Sequence, residues 1–201
     1  MLKLFKRCKK NTKNKSVIKA AIPLKRKHVK NCKVIEDRAK LLKFLPKNSI
    51  CAELGILHCN YSEKILTITK PKKLHLIDCN NRYIKEAERK FRDIISDGRV
   101  ELHLGNSYDI LRTFPDKYFD WVYIDANHLY SFVKKDLEIA HLKIKNKGLI
   151  FCHDYTFYDH ILNLYYGVIP AVNEFCNKYN YEIIYFVIDF EGFNSVVLRK
   201  I

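Results

Sequence analysis

The sequence predicts an α/β fold: a mostly parallel sheet with helices on both faces and an antiparallel pair at the C-terminal end. Three observations carry this. Short apolar runs alternate with helix-period segments, turn residues bound each run, and the last two runs are joined by Glu191-Gly192-Phe193. The 201 residues, 48% of them hydrophobic, suit one domain able to bury a sizeable core. With only 6 Gly, 5 Pro and 7 Cys, collagen-like, disordered and disulfide-scaffold classes are excluded. No apolar run approaches the roughly 18 residues of a membrane span.

Taken in order, residues 1–33 form a basic arm, expected to be flexible, with Pro23 breaking any long helix. The remaining domain, 34–201, opens with a helix over 34–44, ended by Pro46. Buried strands are predicted at 49–54, 73–78, 100–104, 119–125 and 148–153, each too short and too apolar for a surface helix. Helices fall between them at 61–68, 83–95, 108–113 and 131–143, and a further one at 168–179. Runs at 181–190 and 194–200 make the closing hairpin. The stretch 156–167, rich in Tyr and Phe, carries no decodable motif.

The net charge of +15 sits in the arm, which holds 13 of the 37 Lys+Arg and no carboxylate. The rest is nearly neutral, at 24 basic against 22 acidic residues, so the folded body does not itself call for a polyanion. The arm could contact nucleic acid or anionic membrane. Lys outnumbers Arg 28 to 9, and a general bias toward lysine explains it equally well. It has no apolar segment of secretory type, and the cysteines show neither CxxC nor CxxxC spacing; a cytoplasmic protein with free thiols is expected.

Ligands of open α/β sheets bind beyond the carboxyl ends of the strands, and these ends are polar here. The first gives Glu53-Leu54-Gly55 and then Ser62; Gly55 either admits a ligand close to the backbone or makes an ordinary tight turn. Asp78 ends the second, where a carboxylate can accept from both ribose hydroxyls or cap the next helix. Gly105-Asn106-Ser107 ends the third, as adenine contacts or as a cap. The fourth and fifth, expected to be neighbours, give Asp125-Ala126-Asn127-His128 and His153-Asp154-Tyr155. Two carboxylates and two imidazoles around one crevice are costly to desolvate, which points to function rather than structure.

In combination, Glu53-x-Gly55, Ser62, Asp78, Gly105-Asn106-Ser107, Ile124-Asp125-Ala126-Asn127-His128 and His153-Asp154-Tyr155 resemble the motifs of class I S-adenosylmethionine-dependent methyltransferases, followed by "VIPAVNEFC" at 168–176. The closest likeness is to the small-molecule and sugar O-methyltransferase branch, over 34–201. It implies a Rossmann-like sheet of seven strands ending in an antiparallel hairpin. Glu53 and Gly55 would line the methionine part of the cofactor, Asp78 hold the ribose, and Asn106 and Ser107 approach the adenine, with Ser62 also among the cofactor-binding residues. Asp125 would lie beside the methyl group, with His128, His153 and Asp154 facing a small-molecule or glycan acceptor. Cys59 stands where a second glycine is usual, Ala126 replaces a glycine, and Asn106 and Asn127 each replace an aspartate.

A hydroxyl acceptor needs a base or a metal. His128 or His153 could take the proton; alternatively Asp125 and Asp154 could hold Mg²⁺, which lowers the hydroxyl pKa. Two other functions fit: an RNA methyltransferase served by the arm, or a non-catalytic nucleoside-binding module tethered by it, its site having decayed at Cys59.

Overall fold

A computed structural model describes residues 19–201. A 3₁₀ turn at Arg26–His28 leads into β1 (Lys33–Ile35), then α1 (Arg38–Leu41) and a 3₁₀ turn at Leu42–Phe44. β2 (Ile50–Leu54), α2 (Asn60–Thr69), β3 (Lys73–Asp78), α3 (Asn81–Lys90), α4 (Arg92–Ser96), β4 (Val100–Leu104) and α5 (Ser107–Thr113) follow. Next come β5 (Phe119–Ile124), α6 (Tyr130–Lys143), β6 (Ile144–Cys152), a hairpin of β7 (Tyr158–Asp159) and β8 (Leu164–Tyr165), α7 (Val168–Tyr179), β9 (Tyr181–Val187) and β10 (Ser195–Lys200). Among these residues no helix is long and apolar enough to cross a membrane.

One Rossmann-like sheet runs in the order β1-β9-β10-β6-β5-β2-β3-β4. All its pairings are parallel except those of β10, which is antiparallel to β6 and to β9. The chain moves outward from β2 to β4, then returns to lay β5 on the other side of β2. That reversal opens a crevice at the carboxyl ends of β2 and β5.

The period of two along each strand divides the core. Cys51, Trp121, Tyr123, Leu149 and Phe151 join the apolar cluster that also contains Leu41, Ile65, Leu66, Tyr83 and Ala87 from α1 to α3. Ala52, Leu54, Val122, Ile124, Ile150 and Cys152 join the opposite cluster, with Leu111, Val133, Leu137, Ala171 and Phe175 from α5 to α7. Central strands apolar on both faces are what a parallel sheet covered on both sides requires.

The main departures from the sequence expectations are three. The helix expected over 34–44 starts at Arg38, because β-branched Val34 and Ile35 extend beside β9 and the Asp37 carboxylate caps the backbone N–H groups of Ala39 (2.6 Å) and Lys40 (3.1 Å). This makes β1 the eighth strand of a sheet expected to have seven. The helix expected over 83–95 breaks at Phe91 (φ −112°, ψ 22°), whose side chain is buried. The undecoded 156–167 stretch forms the β7–β8 hairpin.

The first 18 residues of the basic arm lie outside the described residues. Residues 19–33 run along α7 toward β1: the side-chain amides of Asn173 and Asn177 donate to the carbonyls of Ile22 (2.9 Å) and Pro23 (3.3 Å). Lys27 bonds Asn180 (2.6 Å), and His28 is fully buried. A boundary at residue 33 therefore falls inside a packed segment.

Candidate active site

At the crevice, the backbone turn after β2 lies against the end of β5. Gly55 has φ +85°, and a Cβ there would stand 2.2 Å from the Asp125 carbonyl oxygen. The glycine is required by this backbone approach as well as by its left-handed conformation. Asp78 ties the neighbouring loops: Oδ2 accepts from the Ile56 N–H (3.0 Å) and Oδ1 from the Asn80 N–H (2.7 Å). Glu53, only 1% exposed, has an Oε2 with no hydrogen-bond partner among the described residues. Burial pushes its carboxyl up to about 8, against the pull of the nearby Ser62 hydroxyl. A buried acceptor of this kind, beside a glycine turn and a strand-end carboxylate, suits a ligand bearing a cationic amine and a ribose.

Cys59 takes the left-handed conformation (φ 60°) at the start of α2, the geometry for which glycine is favoured. Its side chain is fully buried in the α1–α3 cluster. The loop thus keeps a glycine-like path with the thiol stored in the core. At the end of β4, Asn106 donates to Asp109 (3.2 Å), and the Ser107 hydroxyl donates to Asp136 on α6 (2.6 Å). Asp136 is itself pushed up to about 7 by burial.

Beyond β5 and β6, the four predicted acceptor-side residues converge. His128 Nε2 lies 3.4 Å from Asp125 Oδ1 and 3.2 Å from Asp154 Oδ2. His153 Nε2 is 3.0 Å from Asp154 Oδ1, while its Nδ1 meets the buried Ser195 hydroxyl of β10 (2.8 Å). Asp154 has φ +56°, a strained conformation for a non-glycine residue, at the carboxylate that joins the two imidazoles.

The two carboxylates are pushed apart in acidity. Burial works against an ionised Asp125, yet the hydrogen bond to His128 and the Arg38 guanidinium hold it below the ordinary range. Burial raises Asp154 to about 7, with His128 opposing. Burial also lowers His153 to about 4, so that its imidazole is neutral near neutral pH. One oxygen from each carboxylate and a nitrogen of His128 lie within 4.8 Å of one another, an arrangement able to hold a divalent cation. Asn127 stands apart from this set and caps the loop by accepting from the Leu129 N–H (3.0 Å).

Sequence reasoning missed the supports of this cluster. Arg38 donates to the Tyr123 hydroxyl (2.7 Å), which donates to Asp125 Oδ2 (2.9 Å); the guanidinium itself is 3.6 Å from that oxygen. The Gly167 N–H donates to the His128 carbonyl (2.7 Å), and the Tyr166 ring lies 4.6 Å from the His128 ring. A Cβ at Gly167 would stand 2.1 Å from the Tyr130 nitrogen. A glycine immediately before the apolar run of α7 was the one available signal.

A family model described as "Methyltransferase domain" matches residues 53–155, just over half of the chain. No curated protein matches. Solved structures share the fold at low identity. A Staphylococcus aureus protein provisionally described as a caffeoyl-CoA O-methyltransferase is 20% identical, with a TM-score of 0.61 over 82% of this chain and 85% of that one. The Bacillus subtilis M1A22 tRNA methyltransferase TrmK is 14% identical, with a TM-score of 0.60 over 83% and 66%. A Streptococcus mutans protein provisionally described as a methyltransferase, solved with SAH, is 13% identical, with a TM-score of 0.59 over 81% and 95%. The matched segment begins at Glu53 and ends at Tyr155, spanning both sides of the crevice, and the chain belongs to the methyltransferase domain family of class I S-adenosylmethionine-dependent enzymes.

Proposed function

We propose that the protein methylates a hydroxyl group of a small molecule or glycan. The observation that carries this reading is the Asp125–His128–Asp154 cluster, set across the β2–β5 crevice from Glu53, Gly55 and Asp78. Glu53 and Asp78 would hold the amine and ribose of S-adenosylmethionine, with Ser62 beside Glu53 and Asn106 and Ser107 on the adenine side. Bound there, the cofactor supplies an electrophilic methyl group. His128 takes the proton of the acceptor hydroxyl and shares it with Asp154, whose carboxyl near 7 makes it a competent partner at neutral pH. Asp125 stabilises the resulting imidazolium. His153, held by Ser195, positions Asp154.

His128→Ala should cut turnover by about 10²- to 10⁴-fold while leaving the calorimetric affinity for S-adenosylhomocysteine nearly unchanged. Asp78→Ala should weaken that affinity. Full turnover in His128→Ala removes the base assignment, and absence of binding by the wild type removes the reading altogether.

A metal-assisted route is favoured by the convergence of Asp125, Asp154 and His128. An ion held there would lower the hydroxyl pKa, and two carboxylates beside a single imidazole suit an oxygen-preferring ion such as Mg²⁺ or Mn²⁺. Loss of turnover in chelator and its return with Mg²⁺ or Mn²⁺ distinguishes this route. An RNA acceptor has one observation behind it. Lys19 bonds Tyr130, the first residue of α6 at the end that follows His128, and Glu174, and the sequence before Lys19 carries seven Lys+Arg and no acid. Methyl transfer to RNA but to no small hydroxyl compound would establish it. The cysteine spacing supports a cytoplasmic setting.

A further inference from the structure

Away from the crevice, β3 and β4 bring two imidazoles and a carboxylate together. The parallel register sets His75 opposite Glu101, and His103, two residues along β4, shares their face. His75 Nδ1 lies 3.0 Å from His103 Nε2. Glu101 approaches both, with Oε2 3.8 Å from His75 Nδ1 and Oε1 3.7 Å from His103 Nε2. All three ligand atoms fall within 4.8 Å of one another.

Two imidazole nitrogens facing each other either share a proton or direct their lone pairs at a common cation. Three features support the cation. Nitrogens bound to one tetrahedral zinc are separated by roughly 3.3 Å, given Zn–N distances near 2.0–2.1 Å, and 3.0 Å is close to that. The other ring nitrogen of His75 is 3.2 Å from the Tyr118 hydroxyl, the outer partner that orients a ligating imidazole. The rings of Phe114, Tyr118 and Phe119 wall the site, with centroids 4.7, 5.6 and 5.6 Å from that of His75. On the open side Glu101 is 47% exposed, leaving room for water as a fourth ligand. Lys73 engages Glu101 Oε2 (2.8 Å) and leaves Oε1 for the ion.

We propose that His75, Glu101 and His103 form a binding site for one divalent transition-metal ion of the zinc type, clamping edge strand β4 to β3. Two nitrogens and one oxygen suit zinc or cobalt rather than magnesium or calcium. The clamp would steady Gly105-Asn106-Ser107 at the end of β4, and would brace a strand whose outer edge is unpaired among the described residues.

The full chain, stripped of metal by chelator and dialysis, is titrated with Zn²⁺ by calorimetry and with Co²⁺ by visible absorption. Tight binding of one ion per chain is expected, with the absorption of tetrahedral Co²⁺. His103→Gln and Glu101→Gln should each weaken binding by more than about tenfold, whereas Asp154→Asn should not. Zn²⁺ should raise the melting temperature of the wild type and of neither ligand variant. Should His103→Gln fold poorly, Glu101→Gln, altered at an exposed side chain, carries the comparison. No binding, equal binding by the wild type and both ligand variants, or loss confined to Asp154→Asn would each overturn the proposal.

Discussion

Replacing Gly55 by alanine tests whether the β2 turn and the end of β5 act as one packed unit. Its φ of +85° costs an L-residue about 1–2 kcal/mol by itself. The added Cβ would stand 2.2 Å from the Asp125 carbonyl oxygen and 2.8 Å from Ala126 Cα, where ordinary contact begins at 3.4 Å. The two backbones must then part, stretching the bond from Asp125 N–H to the Leu54 carbonyl (2.9 Å). With that bond worth about 0.5–1.5 kcal/mol, the whole effect is roughly 1.5–3.5 kcal/mol. Two controls separate the causes. Gly98 has φ +79° with nothing within 4 Å, so alanine there meets only the backbone cost. Gly167, close to Tyr130 but without a positive φ, meets only the steric one. Urea denaturation reads stability, and calorimetry reads affinity for S-adenosylhomocysteine. Gly55→Ala should be the most destabilised of the three and should bind the ligand more weakly, while Gly98→Ala should bind as the wild type does. A Gly55→Ala protein no less stable than Gly98→Ala would refute the reasoning.

Stability should fall as pH rises from about 6.5 to about 8, above the range in which His75 and His153, lowered by burial to about 4, act in the opposite sense. Glu53 (to about 8), Asp136 and Asp154 (each to about 7) are raised by burial, so the folded chain binds more protons than the unfolded one across that window. Glu174, held at about 2 chiefly by its hydrogen bond to Lys134, acts in the opposite sense only at lower pH. Melting temperatures across the window check this; Glu53→Gln should flatten part of the slope, and a wild-type profile without decline would contradict it. Deleting residues 1–33 should lower stability by about 2–4 kcal/mol, through loss of the Ile22 and Pro23 contacts, the buried His28 and the partly buried Leu24. An unchanged urea midpoint would show that these contacts contribute nothing.

Which residues form β3, β4 and α7 was legible to the residue, because a run of apolar side chains between turn residues has one economical conformation. The same logic placed Asp125, His128, His153 and Asp154 just past two strands and predicted them to meet. It misread residues 34–44, where β-branched Val34 and Ile35 are extended only because β9 offers an edge. Arg38 and Tyr123, 85 positions apart, and His153 and Ser195, 42 apart, carry no mark in the sequence of their mutual bonds. The sequence by itself determined the alternation of strand and helix, hence the parallel sheet and the polarity of its carboxyl edge. Tertiary structure alone decided the strand order that opens the crevice between β2 and β5, the register that joins His75 to Glu101, and the groups that hold Asp125 ionised. The physical reason is that periodicity sets which face a side chain occupies, whereas its neighbours across that face depend on which strands pair and in what register.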